Sequence, residues 1–109
     1  MQTFYLALDL KNDPELIAEY EQHHREVWPE ILEQMKQSRI QKCEIYRVQN
    51  RLMMVLETDD HFSFEAKAIA DNQNPRVQEW EALMWKYQQA LPNSLPGEKW
   101  KLMDCIFKY

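Results

Sequence analysis

The chain has 109 residues, of which 45% are hydrophobic, and this length predicts one domain (1–109) built around a single core. Its net charge is −5, from 13 Lys and Arg against 18 Asp and Glu, so it lacks the basic surface that nucleic-acid binding requires. No stretch approaches the ~18 consecutive apolar residues that would cross a membrane.

Two further features bear on the cell compartment. The opening Met1-Gln2-Thr3-Phe4 lacks the basic region and cleavage site of a signal peptide. The two cysteines, Cys43 and Cys105, have neither zinc-site spacing nor the pattern of a disulfide framework. We therefore expect a protein of the reducing cytoplasm, with no metal site.

The first two predicted elements are a strand and a helix. Residues 3–10 alternate in polarity, with Phe4, Leu6, Leu8 and Leu10 on one side, which is the period of a strand. Asp13 as N-cap and Pro14 at the first helical position then predict a helix that runs to about Ser38.

Pro29 lies inside that helical segment. Because proline has no N–H, it leaves the carbonyl of Arg25 without its usual helical partner. We therefore expect a kink or local unwinding just after His24, which would free space for a pocket. Two consecutive short helices are the alternative.

The remaining segments follow the same two periodicities. Residues 40–48 and 52–57 predict strands, and the short polar turn between them predicts a hairpin. Residues 62–71 predict a short helix with Phe64, Ala68 and Ile69 facing inward. Asn74-Pro75 begins another helix, whose inward stripe is Val77, Trp80, Met84, Tyr87 and Leu91. Residues 100–109 alternate again and predict a final strand.

The order of these elements is β-α-β-β-α-β. It predicts an α+β fold of the ferredoxin-like sandwich type, with the helices on one face of an antiparallel sheet. The hairpin and the final strand are apolar or mixed on both sides, so the other face also needs cover. We expect two copies to pack sheet against sheet as a homodimer, which gives a dimeric α/β barrel.

The first helical segment contains a candidate catalytic group, His24. It belongs to an inward stripe at helical spacing that comprises Ile17, Tyr20, His24, Val27, Ile31 and Met35. A histidine in a partly apolar wall can act as acid or base near neutral pH. A core histidine with one satisfied hydrogen bond is the alternative. His23 points about 100° away along the helix, and we expect it at the solvated surface.

The pattern Tyr-x-x-x-His-x-x-x-Trp-Pro-Glu, from Tyr20 to Glu30, resembles that of the L-rhamnose mutarotase family. The resemblance extends over the opening strand, the Glu44-Ile45-Tyr46 strand and the helix around Met84-Trp85-Lys86-Tyr87. It implies a small dimeric ferredoxin-like isomerase that interconverts the anomers of a 6-deoxy-sugar without a cofactor. By this resemblance His24 is the catalytic proton donor, and Tyr20 and Trp85 contact the sugar.

Two positions depart from the family pattern. Cys43 stands where the rhamnose enzymes carry a substrate-contacting tyrosine, and Met84 stands in the first position of a Trp-Trp pair. Both positions are expected to face the sugar. Because these replacements remove one hydroxyl and one aromatic ring from the expected pocket, they leave the identity of the sugar open. L-fucose is the main alternative to L-rhamnose.

The chemistry that the resemblance implies needs two proton-transfer groups. Ring opening requires a base for the anomeric hydroxyl and an acid for the ring oxygen, and a histidine can serve in either role. For the second group, Tyr20, Glu21, Glu44 and a bound water remain open. Tyr20 and Trp85 could each instead be ordinary core residues.

Two other functions fit the same architecture. One is a dimeric-barrel monooxygenase, either dependent on haem with His24 as axial ligand or free of cofactor. The other is a non-enzymatic dimeric barrel that binds a small apolar ligand.

Overall fold

The computed structural model describes all residues, 1–109, and contains one antiparallel sheet and four helices. In chain order the elements are β1 (Gln2–Leu10), α1 (Pro14–Arg25), α2 (Pro29–Gln37), β2 (Ile40–Val48), β3 (Arg51–Thr58), α3 (Phe64–Asn72), α4 (Pro75–Trp85), β4 (Gln88–Gln89) and β5 (Lys101–Leu102). None of the helices is long and apolar enough to cross a membrane.

The strands are arranged in the order β2-β3-β1-β4, and β5 pairs with β1 as well. Leu6 of β1 lies opposite Met54 of β3, which in turn lies opposite Ile45 of β2. Because strand side chains alternate, this register places the apolar residues of three strands on one face, under the helices. The predicted ferredoxin-like α+β architecture is confirmed.

The helical segment after β1 is two helices rather than one. The Asp13 side chain accepts hydrogen bonds from the backbone N–H groups of Glu15 and Leu16, as predicted for an N-cap. Helix α1 ends at Arg25, and α2 begins at Pro29. The alternative of two consecutive helices is therefore correct, since proline suits the first position of a new helix.

Two other sequence-based predictions are wrong in detail. Phe64 of α3 faces inward as predicted, but Ala68 and Ile69 are exposed, because Lys67 and Asp71 complete the inward face of this helix. The final strand is only Lys101–Leu102, and residues 103–109 continue without sheet pairing beyond one hydrogen bond from Met103 N–H to the Tyr5 carbonyl. The sheet edge that they were expected to occupy is shared with the unpredicted strand β4.

The core lies between the helices and the sheet. Its fully or nearly buried side chains include Leu10, Tyr20, Ile31, Leu52, Val77, Trp80, Met84 and Tyr87. The inward stripe predicted for α1 and α2 packs against this cluster. The stripe predicted after Pro75 is correct for Val77, Trp80 and Met84, but α4 ends at Trp85, so Tyr87 and Leu91 lie beyond the helix. Helix faces buried in this way contribute most of the stability of short helices.

Candidate active site

A cavity of about 920 Å³ opens between the helices and the apolar face of the sheet. It has 27 lining residues, 18 of them hydrophobic, with a minority of polar groups. This volume and this mixture are typical of sites for small organic ligands. His24, Tyr20, Cys43 and Met84, all predicted site residues, line this one cavity.

His24 is held in a defined orientation near the end of α1. Its Nδ1 lies 2.8 Å from the carbonyl oxygen of Tyr20, one turn earlier. The imidazole ring packs on the Tyr20 ring at 4.4 Å and edge-on to Trp80 at 5.7 Å between centroids. Because a carbonyl oxygen can only accept, Nδ1 carries the hydrogen, and the neutral ring has its lone pair on Nε2.

The charge state of His24 follows from its surroundings. Burial lowers the pKa of His24 below the usual 6.5, and the nearby His23 lowers it further, while the hydrogen bond to the Tyr20 carbonyl acts in the opposite direction. The imidazole is therefore neutral at pH 7. With its hydrogen on Nδ1, it offers Nε2 as a proton acceptor, which is the form of histidine that can serve as a general base.

The lowered pKa of His24 also predicts a pH dependence of stability. In the unfolded chain the imidazole takes up a proton near its usual pKa of 6.5, whereas the folded chain does so only at lower pH. The free energy of unfolding should therefore decrease as the pH falls from about 7 to about 5, and His24→Gln should reduce that decrease. Urea unfolding across this range measures it; parallel pH curves for the two proteins would contradict the expectation.

The helical spacing predicted His23 at the solvated surface, and this prediction is wrong. It is half-buried, its Nε2 lies 3.1 Å from the Tyr87 hydroxyl, and its ring packs on the Tyr87 ring at 5.5 Å. The buried Tyr87, just beyond α4, covers this side of α1. His23 does not line the cavity.

Tyr20 is a hydrogen-bond donor at every physiological pH. Its side chain is buried, and burial raises the pKa of its phenol to about 12. The side-chain NH₂ of Gln88 donates to the Tyr20 hydroxyl oxygen at 3.3 Å, which lowers the pKa but does not offset the burial. The hydroxyl hydrogen of Tyr20 remains available to a ligand.

Cys43 and Trp85 differ in their relation to the cavity. Cys43 lines it from β2, and burial raises the pKa of its thiol, while Lys67 opposes this. Trp85 is 38% exposed, is absent from the lining and lies under the ammonium group of Lys99 at 5.1 Å. The predicted sugar contact of Trp85 therefore finds no support in the single chain and stays a prediction.

Two of the other candidates for the second proton-transfer group are engaged elsewhere. Glu21 lines the cavity, but its carboxylate is paired with Arg47. Glu44 alternates with Cys43 along β2, so it lies on the sheet face away from the helices, where it accepts a hydrogen bond from Tyr46 at 2.9 Å. Of the side chains considered, Tyr20 is the one with a free donor inside the cavity.

Sequence reasoning missed two residues that shape the site. Trp80 lines the cavity and supports the His24 ring, although its spacing indicated only packing. Gln88 also lines the cavity, from a strand of two residues that no periodicity could reveal. Nowhere do three or more His, Cys, Asp or Glu residues come together as metal ligands.

Comparison with known proteins supplies the family context. A family model described as L-rhamnose mutarotase matches residues 3–109. An L-fucose mutarotase of Xanthomonas campestris pv. campestris is 47% identical over 109 residues, which cover 98% of this chain and 87% of that protein. A UPF0734 protein of Dictyostelium discoideum is 34% identical over 113 residues, covering 97% and 88% respectively.

Two solved structures share the fold. The crystal structure of an L-rhamnose mutarotase from Formosa agariphila superposes with a TM-score of 0.72 at 16% identity and covers 100% of this chain and 99% of its own. The tetracenomycin F2 cyclase of Streptomyces glaucescens, a type-II polyketide cyclase, superposes with a TM-score of 0.64 at 14% identity, covering 100% and 97%.

Proposed function

The chain belongs to the L-rhamnose mutarotase family, and we propose that its cavity is the site where a 6-deoxy-L-hexose exchanges its α and β anomers. One observation carries the assignment to this cavity. A neutral imidazole with its lone pair on Nε2 and a protonated phenol, from His24 and Tyr20, lie ring against ring in an apolar pocket. A base and an acid in contact with one small ligand are what hemiacetal opening requires.

The proposed reaction has an opening and a closing half. His24 Nε2 takes the proton of the anomeric hydroxyl, the bond between C1 and the ring oxygen breaks, and the Tyr20 hydroxyl protonates the ring oxygen. The free aldehyde then rotates about its C1–C2 bond. On closure tyrosinate takes back its proton, the ring oxygen attacks the other face of C1, and the imidazolium returns its proton to the carbonyl oxygen.

In the proposed reaction His24 is both a proton donor and a proton acceptor. The resemblance assigns it as proton donor, and it is the donor in the closing half of the cycle. In the opening half it is the base, because its Nδ1 is committed to the Tyr20 carbonyl and burial keeps the ring neutral. The same proton leaves and returns, so the cycle consumes no external acid or base.

The identity of the sugar is narrowed by the relatives. The family description names L-rhamnose, and a relative with 47% identity is named for L-fucose. Both are 6-deoxy-L-hexoses that differ in configuration at C2 and C4. Because that relative is similar along 98% of this chain, we propose L-fucose as the preferred substrate and L-rhamnose as the second candidate.

Saturation-difference proton NMR of the anomeric signals tests this function directly. Each sugar is measured separately at neutral pH, with and without the protein. Saturation of the α signal should pass to the β signal only when protein is present, and faster for L-fucose. Absence of transfer with both sugars would overturn the proposed function, while faster transfer with L-rhamnose would overturn only the substrate preference.

Cys43 offers a check on where the sugar sits. Burial and the raised pKa of its thiol predict that Cys43 reacts slowly with iodoacetamide. Saturating L-fucose should slow the Cys43 reaction further and leave that of Cys105 unchanged, as mass spectrometry of the two peptides would show. Equal rates at Cys43 with and without sugar would place the sugar elsewhere.

We also propose that the protein works as a cytoplasmic homodimer. Large apolar side chains are exposed at the C-terminal end and on the open sheet face: Leu102, Met103, Ile106, Phe107, Tyr5, Tyr46 and Val48. Exposed apolar area of this kind is typical of a subunit interface. Analytical ultracentrifugation should give about twice the 13.3 kDa mass of the chain, and a monomer mass at micromolar concentration would contradict it. Both cysteines are free thiols, which supports a reducing compartment.

A further inference from the structure

Gln88, a residue that lines the cavity, has a buried side-chain carbonyl oxygen with no hydrogen-bond partner. The residue is only 5% exposed, and it lines the same cavity as His24 and Tyr20. Its other polar atom, the NH₂ nitrogen, lies 3.3 Å from the Tyr20 hydroxyl oxygen. In this orientation of the amide, the Tyr20 hydroxyl keeps its hydrogen free and the Gln88 carbonyl oxygen is the atom without a partner.

An unpartnered buried polar atom is costly to a folded protein. Nearly all buried polar side-chain atoms have a hydrogen-bond partner, because an atom that loses its water on folding and gains no partner destabilises the folded state. In an enzyme cavity such an atom is commonly satisfied by the ligand. The ligand proposed for this cavity is rich in hydroxyl groups, which donate to carbonyl oxygens.

The backbone holds Gln88 firmly in place. Strand β4 pairs with β1 so that Gln88 lies opposite Leu10, which is fully buried. On the preceding residue, the Tyr87 carbonyl accepts from Lys11 N–H at 2.8 Å, and Tyr87 N–H donates to the Met84 carbonyl. These backbone hydrogen bonds fix Gln88 beside the cavity, as is expected of a preorganised binding group.

We propose that Gln88 determines sugar specificity: its carbonyl oxygen accepts a hydrogen bond from one ring hydroxyl of the sugar, while its NH₂ group holds the Tyr20 hydroxyl toward the ring oxygen. This assignment rests on the proposed mutarotase function. A pocket that hydrogen-bonds a substrate hydroxyl strongly rejects an analogue lacking it, because the protein atom is then left unpaired. Gln88 therefore favours sugars that place a hydroxyl at this position.

The test compares Gln88→Met, which keeps the side-chain length but removes both polar atoms, with Gln89→Met on the exposed neighbouring residue. We expect kcat/KM for L-fucose to fall about 10- to 100-fold in Gln88→Met and to stay unchanged in Gln89→Met. Melting temperatures should remain close to that of the unmodified protein. The reason is that Gln88→Met removes an unpaired buried oxygen, which stabilises the protein, and also removes the hydrogen bond to Tyr20, which destabilises it by a similar amount.

Three monodeoxy analogues of L-fucose, modified at C2, C3 and C4, separate specificity from a purely structural role. For one analogue, kcat/KM with the unmodified protein should be about 10- to 100-fold lower than for L-fucose, and Gln88→Met should not lower it further. If Gln88→Met lowers kcat/KM by the same factor for L-fucose and for all three analogues, Gln88 only positions Tyr20, and the proposal is overturned. A lower melting temperature with unchanged kinetics would also overturn it.

The contact between Gln88 and the sugar can be tested even if the protein does not catalyse anomer exchange. Should the unmodified protein exchange no sugar, binding of L-fucose measured by saturation-transfer NMR takes the place of kinetics. Weaker binding to Gln88→Met than to Gln89→Met would support the hydroxyl contact. Equal binding to both, or binding to neither, would overturn it.

Discussion

Replacing His24 by alanine is expected to lower catalysed anomer exchange of L-fucose by about 10² to 10⁴-fold. In the proposed mechanism His24 Nε2 is the base that removes the anomeric proton, and alanine offers no group in its place. The measurement is saturation transfer between the two anomeric signals, at a protein concentration high enough to detect a residual rate. Full retention of exchange would remove His24 from the mechanism.

His23→Ala is the matched control for this substitution. It removes an imidazole from the adjacent position of the same helix, and with it the contact to the Tyr87 hydroxyl, but His23 does not line the cavity. We expect a stability cost of about 1 kcal/mol from the lost hydrogen bond and nearly unchanged exchange. Comparable losses of exchange in both variants would mean that α1 was disturbed as a whole rather than one base removed.

The second large effect is expected for Tyr20→Phe, which keeps the buried ring and removes only the hydroxyl. If Tyr20 protonates the ring oxygen, kcat should fall about 10² to 10⁴-fold, whereas KM should change much less. The packing of the ring on His24 at 4.4 Å is retained, so the fold should persist. The variant leaves the Gln88 NH₂ unpaired, and thermal unfolding measures that smaller cost.

Tyr87→Phe provides the corresponding control for Tyr20. Tyr87 is as deeply buried, but its hydroxyl contacts His23 rather than the cavity. Unchanged kcat in Tyr87→Phe together with a large loss in Tyr20→Phe would support an acid role for Tyr20. Near-normal kcat in Tyr20→Phe would return the role to Glu21 or to a bound water, and Tyr20 would then be a core residue.

The fold by itself would not have selected this chemistry. A polyketide cyclase shares the architecture with a TM-score of 0.64, so the same sheet and helices carry more than one activity. What separates the alternatives is the family match along residues 3–109. The neutral, oriented imidazole of His24 beside the protonated phenol of Tyr20 then supplies chemistry that suits it.

Local sequence signals determined most of the secondary structure. Asp13 and Pro14 began α1 where predicted, because capping depends on two or three neighbouring residues. The alternation in β1 and the turn before Arg51 likewise identified the strands and the hairpin. The Tyr20 to Glu30 pattern was enough to indicate the family and to place His24 and Tyr20 in one helical stripe. The stripe faces inward, as expected from its spacing.

Only the tertiary structure decided how the site is completed. Gln88 reaches the cavity because β4 pairs with Leu10, a contact between residues 78 positions apart that no local periodicity encodes. The lowered pKa of His24 depends on burial to which Trp80 of α4 contributes. Such features depend on the sum of long-range packing, so they appear only when the chain is folded.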